Sequence, residues 1–215
     1  MISTLDGVTD LADHLSVLRD LERRLLVYKF AIEELMTKLR ILSEEFDAVH
    51  HHDPIEHITN RVKKPENILE KLRRKGFPLD LDTIGDWLDD IAGVRVVCPF
   101  VSDVYRVSEM LARQHDVEIL RTKDYIAQPK PNGYRSLHLI VRIPVFLSDR
   151  VEHVKVEVQL RTIAMDFWAT LEHKLFYKYD DSPPAEFVGE LMSTAMIAAQ
   201  LDDRMETLHR RIHPD

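Results

Sequence analysis

Val154-Lys155-Val156-Glu157-Val158-Gln159-Leu160-Arg161-Thr162 alternates apolar and polar residues without a break. Side chains along a β-strand point to opposite faces in turn. Val154, Val156, Val158 and Leu160 therefore belong to one face, and Lys155, Glu157, Gln159 and Arg161 to the other. This is the pattern of a strand with one face on a core and one face toward water or a cleft. The preceding segment, Ser136 to Pro144, behaves the same way, with Leu137, Leu139, Val141 and Ile143 opposite Ser136, His138 and Arg142. If the two strands pair, His138, Glu157 and Gln159 share a polar sheet face. A carboxylate flanked by hydrogen-bonding groups suits a general base or a metal ligand. Alternation by itself fits an ordinary half-solvated strand equally well.

Working outward, further strands are expected in "DIAGVRVVCPF", entered at Val94, and near "VEILRT", with the amphipathic helix "DVYRVSEMLARQ" between them. A short helix is expected before the first of these. "PENILEKLRRK" reads as a helix with Pro65 early and Gly76 just past its end, the usual asymmetry. Another helix covers "AMDFWATLEHKLFY"; Pro183-Pro184 marks a break, and a final helix runs from about Ala185 to Ile212. Residues from about 8 to 50 read as one long helix. Leu11, Leu18, Leu25, Ile32, Leu39 and Phe46 recur every seven positions, and Leu21, Tyr28, Leu35, Leu42 and Val49 form a second row. Such a stripe must be buried, either on its own domain or against another subunit. The fold class is α+β, a mixed sheet flanked by helices with long helices at both ends. The expected division is an N-terminal helical segment over 1–50, a catalytic domain over 51–180, and a C-terminal helix over 181–215 packing on that domain.

The chain has 215 residues and a formal charge of −8, which argues against a general nucleic-acid coat or a membrane-surface protein. No apolar run reaches about 20 residues, so no membrane span is expected. The start lacks a basic segment followed by an apolar core, and the single cysteine, Cys98, lies in an apolar run. A buried inert thiol and a cytoplasmic location are expected. His50, His51 and His52 are consecutive, unlike the i,i+4 spacing of a helical metal site, and read as a solvated turn.

Several residues call for more than a fold. Asp90 stands just before the Val94 strand, where it caps a helix or borders a cleft. Arg95 interrupts an apolar strand and needs a partner, an anion or a stacked ring. "RVKKPENILEKLRRK", Arg61 to Lys75, is basic inside an acidic chain, and Lys71, Arg74 and Lys75 share a helical face. That face is either a solvated surface or a phosphate site. There is no glycine-rich phosphate loop, and the chain has six glycines, so a nucleotide site here must use side-chain cations and stacking. "KPNGYRSLH" adds Lys130, Tyr134 and Arg135 around an Asn-Gly turn. Tyr134 either packs over its own turn or offers its face to a base.

Taken in order, "NRVKKPENILEKLRRK", "DIAGVRVVCPF", "KDYIAQPKPNGYRSLHLIV" and "VEVQLRTIAMDFWATLEHK" closely resemble the RelA/SpoT-type alarmone synthetase domain, over about residues 20 to 205, and most of all the small alarmone synthetases. Residues 1–19 fall outside the resemblance. It implies a fold related to nucleotidyltransferases and a GTP pyrophosphokinase. The β,γ-pyrophosphate of ATP passes to the 3′-hydroxyl of GDP or GTP, with AMP released. It implies Arg61 and Arg95 around the adenine, and Lys63, Lys71 and Arg74 on the ATP phosphates. It implies Asp90 and Glu157 as the Mg2+ carboxylates, with Glu157 also activating the hydroxyl. Tyr134 is implied to stack on guanine, and Lys123, Lys130, His138 and Gln159 to surround the guanosine nucleotide, with Arg135 beside them. A homo-oligomer through the helical ends, a dimer or tetramer, is also implied. In some small synthetases of this kind, product activation uses basic residues on the first long helix and an aromatic soon after it; at the matching positions stand Met36, Arg40, Ser43 and His57, and only Arg40 keeps the charge, so the resemblance does not imply product activation here. Two other readings are a catalytically silent module that binds guanine nucleotides or RNA, and an interaction protein working through its long helix.

Overall fold

The structure, a computed structural model, describes residues 11–78, 80, 83–176 and 185–212. Among the described residues eleven elements follow in chain order: α1 (Leu11–His50), β1 (His57–Val62), α2 (Pro65–Lys75), α3 (Ile84–Trp87), β2 (Ala92–Cys98), α4 (Val101–Ala112), β3 (Glu118–Asp124), β4 (Leu137–Phe146), β5 (Val151–Thr162), α5 (Ile163–Phe176) and α6 (Ala185–Ile212). The strands form one mixed sheet in the order β1-β2-β5-β4-β3. β2 and β5 run parallel at its centre, and every other pair is antiparallel.

The opening alternation is borne out. Val154, Val156, Val158 and Leu160 are buried in the core, as are Leu137, Leu139, Val141 and Ile143 of β4. Pro144 lies inside β4, where a missing N–H would break a central ladder. It is tolerated because the β3 partner stops at Arg142, leaving that stretch of β4 bonded on one side. β1 was not expected, since "HITNRV" carries few strand-forming residues. It is an edge strand with one neighbour, and only Ile58 and Val62 reach the core.

The α1 stripe meets its own domain. Leu21, Leu25, Tyr28, Ile32, Leu35 and Leu39 are buried in the same core as the sheet's apolar face, and α1 packs on β2, β4 and β5. Leu11 and Leu18 lie outside the described side chains, and Val49 is exposed. Removing apolar surface from water at about 25 cal/mol per Å2 makes this stripe a main source of stability. Helix α2 carries Pro65 in its first turn and ends on Gly76, whose φ of 68° is left-handed and whose N–H closes on the Arg73 and Leu72 carbonyls. Cys98 is fully buried, and burial pushes its thiol well above the ordinary range. No described helix is long and apolar enough to cross a membrane.

Candidate active site

Sheet register brings the polar residues into two rows. Arg61, Gly93, Glu157 and Ile140 lie side by side across β1, β2, β5 and β4. The next row is Thr59, Arg95, Gln159, His138 and Lys123, across all five strands. Gly93 has no side chain between Arg61 and Glu157. The opening there is a cavity of about 100 Å3 lined by Thr59, Asn60, Arg61, Arg95, Glu157 and Gln159 among others. Asp90 stands three residues before Gly93, the β2 partner of Glu157, and its charge reaches Glu157.

Asp90 holds two cations. Its Oδ2 accepts from Lys63 Nζ at 2.7 Å and Lys71 Nζ at 2.6 Å. Burial pushes the carboxyl up, but the two ammonium groups outweigh it and hold the group at about 2. Burial also lowers Lys63, against the pull of Asp90. The other oxygen, Oδ1, is buried without a protein partner. A buried carboxylate oxygen left bare, whose charge reaches a second carboxylate, is the kind of hard-oxygen donor that suits Mg2+. No group of three or more acidic, histidine or cysteine side chains forms a closed metal cage among the described residues.

Glu157 is fixed through both oxygens. Oε1 meets His138 Nδ1 at 3.2 Å, and Oε2 accepts from Gln159 Nε2 at 2.9 Å. Burial raises this carboxyl, and His138 and Gln159 more than offset it, so the group stays below the usual glutamate range although the Asp90 charge opposes them. His138 Nε2 lies 2.8 Å from Tyr134 Oη.

Two residues missing from the sequence-based set occupy the centre of this network. Arg161 Nη2 donates to Tyr134 Oη at 2.7 Å and to Gln159 Oε1 at 3.1 Å, and Nη1 donates to Asp166 Oδ1 at 3.0 Å. Asp166 Oδ1 also lies 3.2 Å from Arg95 Nη1. Burial lowers Arg95, and the nearby Arg161 charge adds to this. Asp166 therefore supplies the partner that Arg95 needs. The alternation placed Arg161 on the polar face. Asp166 carried one local signal, an acid in the first turn of a helix; there Thr162 caps α5 by accepting from Met165 N.

The chain turns tightly at Lys130–Tyr134, where Gly133 N–H donates to the Lys130 carbonyl and Lys130 N–H to the Tyr134 carbonyl. Gly133 has φ 89°, and a Cβ on it would stand 2.5 Å from Ala195 Cβ of α6. Asn132 Nδ2 donates to Glu172 of α5. Tyr134 packs on Trp168, Ala169 and Ala195, so α5 and α6 hold the turn from behind. Lys130 Nζ lies 4.6 Å from the Tyr134 ring centroid and 4.8 Å from that of Tyr125, a ring not anticipated from sequence. Lys123 and Arg74 are exposed on the rim.

Arg135 is not brought together with the others. Its guanidinium donates to the Ile126 carbonyl, and its charge acts on Tyr105 of α4 and Asp202 of α6. Alternation explains this: neighbouring residues Tyr134 and Arg135 leave the chain on opposite sides. Of the four α1-side positions, Met36 packs on the core and its sulfur accepts from Asn60, and buried Ser43 donates to Asp53. Arg40 is bonded within its own helix, and His57 is exposed at the start of β1.

Three comparisons with known proteins bear on this site. The model of the region found in RelA/SpoT proteins matches residues 60–182. The GTP pyrophosphokinase YwaC of Bacillus subtilis is 48% identical over 206 residues, which are 96% of this chain and 98% of that one. The crystal structure of small alarmone synthetase 1 from Bacillus subtilis bound to its product pppGpp superposes with a TM-score of 0.83 at 41% identity, covering 91% of this chain and 99% of that one. The same enzyme bound to AMPCPP gives a TM-score of 0.77 at 36% identity, covering 92% and 100%.

Proposed function

The chain belongs to the RelA/SpoT family, and on that basis we propose that it is a GTP pyrophosphokinase that makes the guanosine alarmone from ATP and GDP or GTP. The observation that carries this reading is Glu157, paired with Gly93 at the parallel β2–β5 centre, standing between Asp90, whose carboxylate holds the two cations and acts on it, and the His138–Tyr134 side. The GTP pyrophosphokinase activity named for YwaC, and the pppGpp and AMPCPP bound by small alarmone synthetase 1, support the two nucleotides as ligands.

Arg61 and Arg95 flank the cavity beside Gly93 and would take the adenine between their guanidinium planes. Lys63, Lys71 and Arg74 would receive the ATP phosphates. Tyr134 would stack on guanine, with Lys123, Lys130, His138 and Gln159 around the acceptor. Transfer at phosphorus needs the attacking 3′-hydroxyl and the leaving AMP oxygen in line across the β-phosphorus, and the charge of two nucleotides neutralised. Glu157, held as a carboxylate, would accept the hydroxyl proton as the new bond forms. Asp90 and Glu157 would hold Mg2+, which supplies charge neutralisation at the transferred group. The chain would work in the cytoplasm, with 51–180 as its catalytic part and 1–50 and 181–215 as helical supports.

A homo-oligomer belongs to the same proposal, but the surface that favours it is not the α1 stripe, which is covered. Helices α5 and α6 expose Phe167, Leu171, Met196, Ile197 and Leu201 beside a groove of about 940 Å3. Apolar patches of this kind mark contact surfaces.

Incubation with ATP, Mg2+ and GDP, GTP or GMP, followed by ion-exchange separation, tests the function. AMP and a guanosine carrying a 3′-diphosphate are expected in equal amounts. Nucleotide or RNA binding without AMP release would overturn the reading in favour of a silent binding module.

A further inference from the structure

We propose that Arg161 and the hydroxyl of Tyr134 are positioning residues that set the direction of every hydrogen bond leading to Glu157. This rests on Glu157 being the base of the proposed reaction. The hydroxyl of Tyr134 thus serves the reacting carboxylate, while its ring serves the acceptor base.

The argument follows from what each group can do. A guanidinium has donors and no acceptor. Arg161 Nη2 stands 2.7 Å from Tyr134 Oη, so that oxygen accepts. The Tyr134 proton must then go elsewhere, and His138 Nε2 lies 2.8 Å away. In the neutral ring Nε2 then accepts that proton, and the ring proton sits on Nδ1, 3.2 Å from Glu157 Oε1. A second branch runs the same way. Arg161 Nη2 donates to Gln159 Oε1 at 3.1 Å, which turns the amide so that its Nε2 donates to Glu157 Oε2 at 2.9 Å. Both branches begin on a group that only donates and end on one that only accepts. With a neutral ring, reversing His138 sets two acceptors face to face at Glu157, and reversing Gln159 does the same there and sets two donors together at Arg161.

The consequence is a carboxylate held in plane by one donor on each oxygen, with its remaining lone pairs open to an incoming hydroxyl. Arg161 is itself locked, because Asp166 accepts from Nη1 at 3.0 Å and the side chain is 6% exposed. A hydrogen-bond chain between fixed ends polarises each link. It also removes the choice of histidine tautomer that an isolated imidazole retains.

The test uses the whole chain labelled with 15N-histidine, without nucleotide or metal, at a pH well above the imidazole range. The His138 signals are identified by their loss in His138→Gln. His138 is expected to be protonated on Nδ1 and bare on Nε2. In Tyr134→Phe, which removes one oxygen, the Nε2 resonance should shift as it loses its donor. The same variant should lower kcat about tenfold while the KM for the guanine nucleotide stays within about threefold, a loss in the transition state without a loss of binding. Arg161→Lys, still donor-only, should retain more kcat than Arg161→Met. A His138 protonated on Nε2, or a Tyr134→Phe protein turning over at the parent rate, would overturn the proposal. If Arg161→Met does not fold, Tyr134→Phe decides alone. A parent protein that releases no AMP would sink the proposed function, while the nitrogen spectrum would still read the relay.

Discussion

The proposed donor and acceptor halves of the site are built on different principles. On the donor side, Lys63 and Lys71 both lean on one oxygen of Asp90, and Arg95 leans on Asp166. These are ion pairs, and an entering polyphosphate can take over the cations. On the acceptor side, Tyr134, His138, Gln159 and Glu157 are joined by directed hydrogen bonds that all trace to Arg161. Charge organises the first half and geometry the second. The first should bind nucleotide strongly and tolerate small displacements; the second should lose rate when any one link changes.

The largest effect expected from this contrast is at Glu157. In Glu157→Gln both oxygens are replaced by one acceptor and one donor, yet His138 and Gln159 both present protons. AMP release should fall by about a thousandfold, measured by ion exchange, while ATP binding measured by calorimetry persists. Unchanged turnover would remove Glu157 from its assigned role. The next pair of variants separates the halves. Lys71→Met should raise the KM for ATP about tenfold with little change for the acceptor, since a charge-assisted phosphate contact is worth about 1.5–3 kcal/mol. Tyr134→Ala should do the reverse, at about 1–3 kcal/mol for a lost stacking face. If either variant affects both nucleotides equally, the two halves are not separable.

The same contrast explains what the sequence discloses. The acceptor side lies on β4 and β5, where strict alternation assigns each residue to a face. Alternation therefore assigns His138, Glu157, Gln159 and Arg161 to one face, and there they touch one another. What alternation could not supply is which polar neighbours touch, so the hub role of Arg161 and the part of Asp166 stayed hidden. The donor side depends on β1, a polar edge strand with weak propensity, and on parallel pairing between β2 and β5, which are separated by two strands and a helix in sequence. Register between distant strands leaves no local signature, so the pairing of Gly93 with Glu157 is not legible, and Asp90 and Glu157 are linked only through the family resemblance. The α1 stripe fits a domain contact or a subunit contact equally well as a pattern; the sheet it covers decides. Arg135 drew attention as a cation beside Tyr134, but adjacency in a strand-like stretch means opposite faces.

A smaller effect tests how far the acceptor half depends on α6. Gly133→Ala imposes a side chain at φ 89° and drives its Cβ to within 2.5 Å of Ala195. Strain and overpacking together should cost about 2–5 kcal/mol of stability, read as a lower denaturation midpoint. In whatever fraction stays folded, the KM for the guanine nucleotide should rise and that for ATP should not. A change confined to ATP would break the link between α6 and the acceptor turn.

The smallest effect concerns the anchoring of α6. Asp202 is buried and accepts from the Thr162 hydroxyl at 2.9 Å. Burial pushes its carboxyl up to about 6, against the Thr162 bond and the Arg135 charge. Its pKa is higher folded than unfolded, so the folded chain binds the extra proton, and stability rises as pH falls from above 6 toward 4. Above that window the ionised group costs about 1–3 kcal/mol. Asp202→Asn keeps an oxygen for Thr162 and removes the charge. It should raise the melting temperature at pH 8 and leave it nearly unchanged at pH 4, with ATP and acceptor KM values both unaltered. An equal shift at both pH values would mean that the carboxylate is already paired. α6 would then be held by its contacts to α4 and α5, independently of any proton on Asp202.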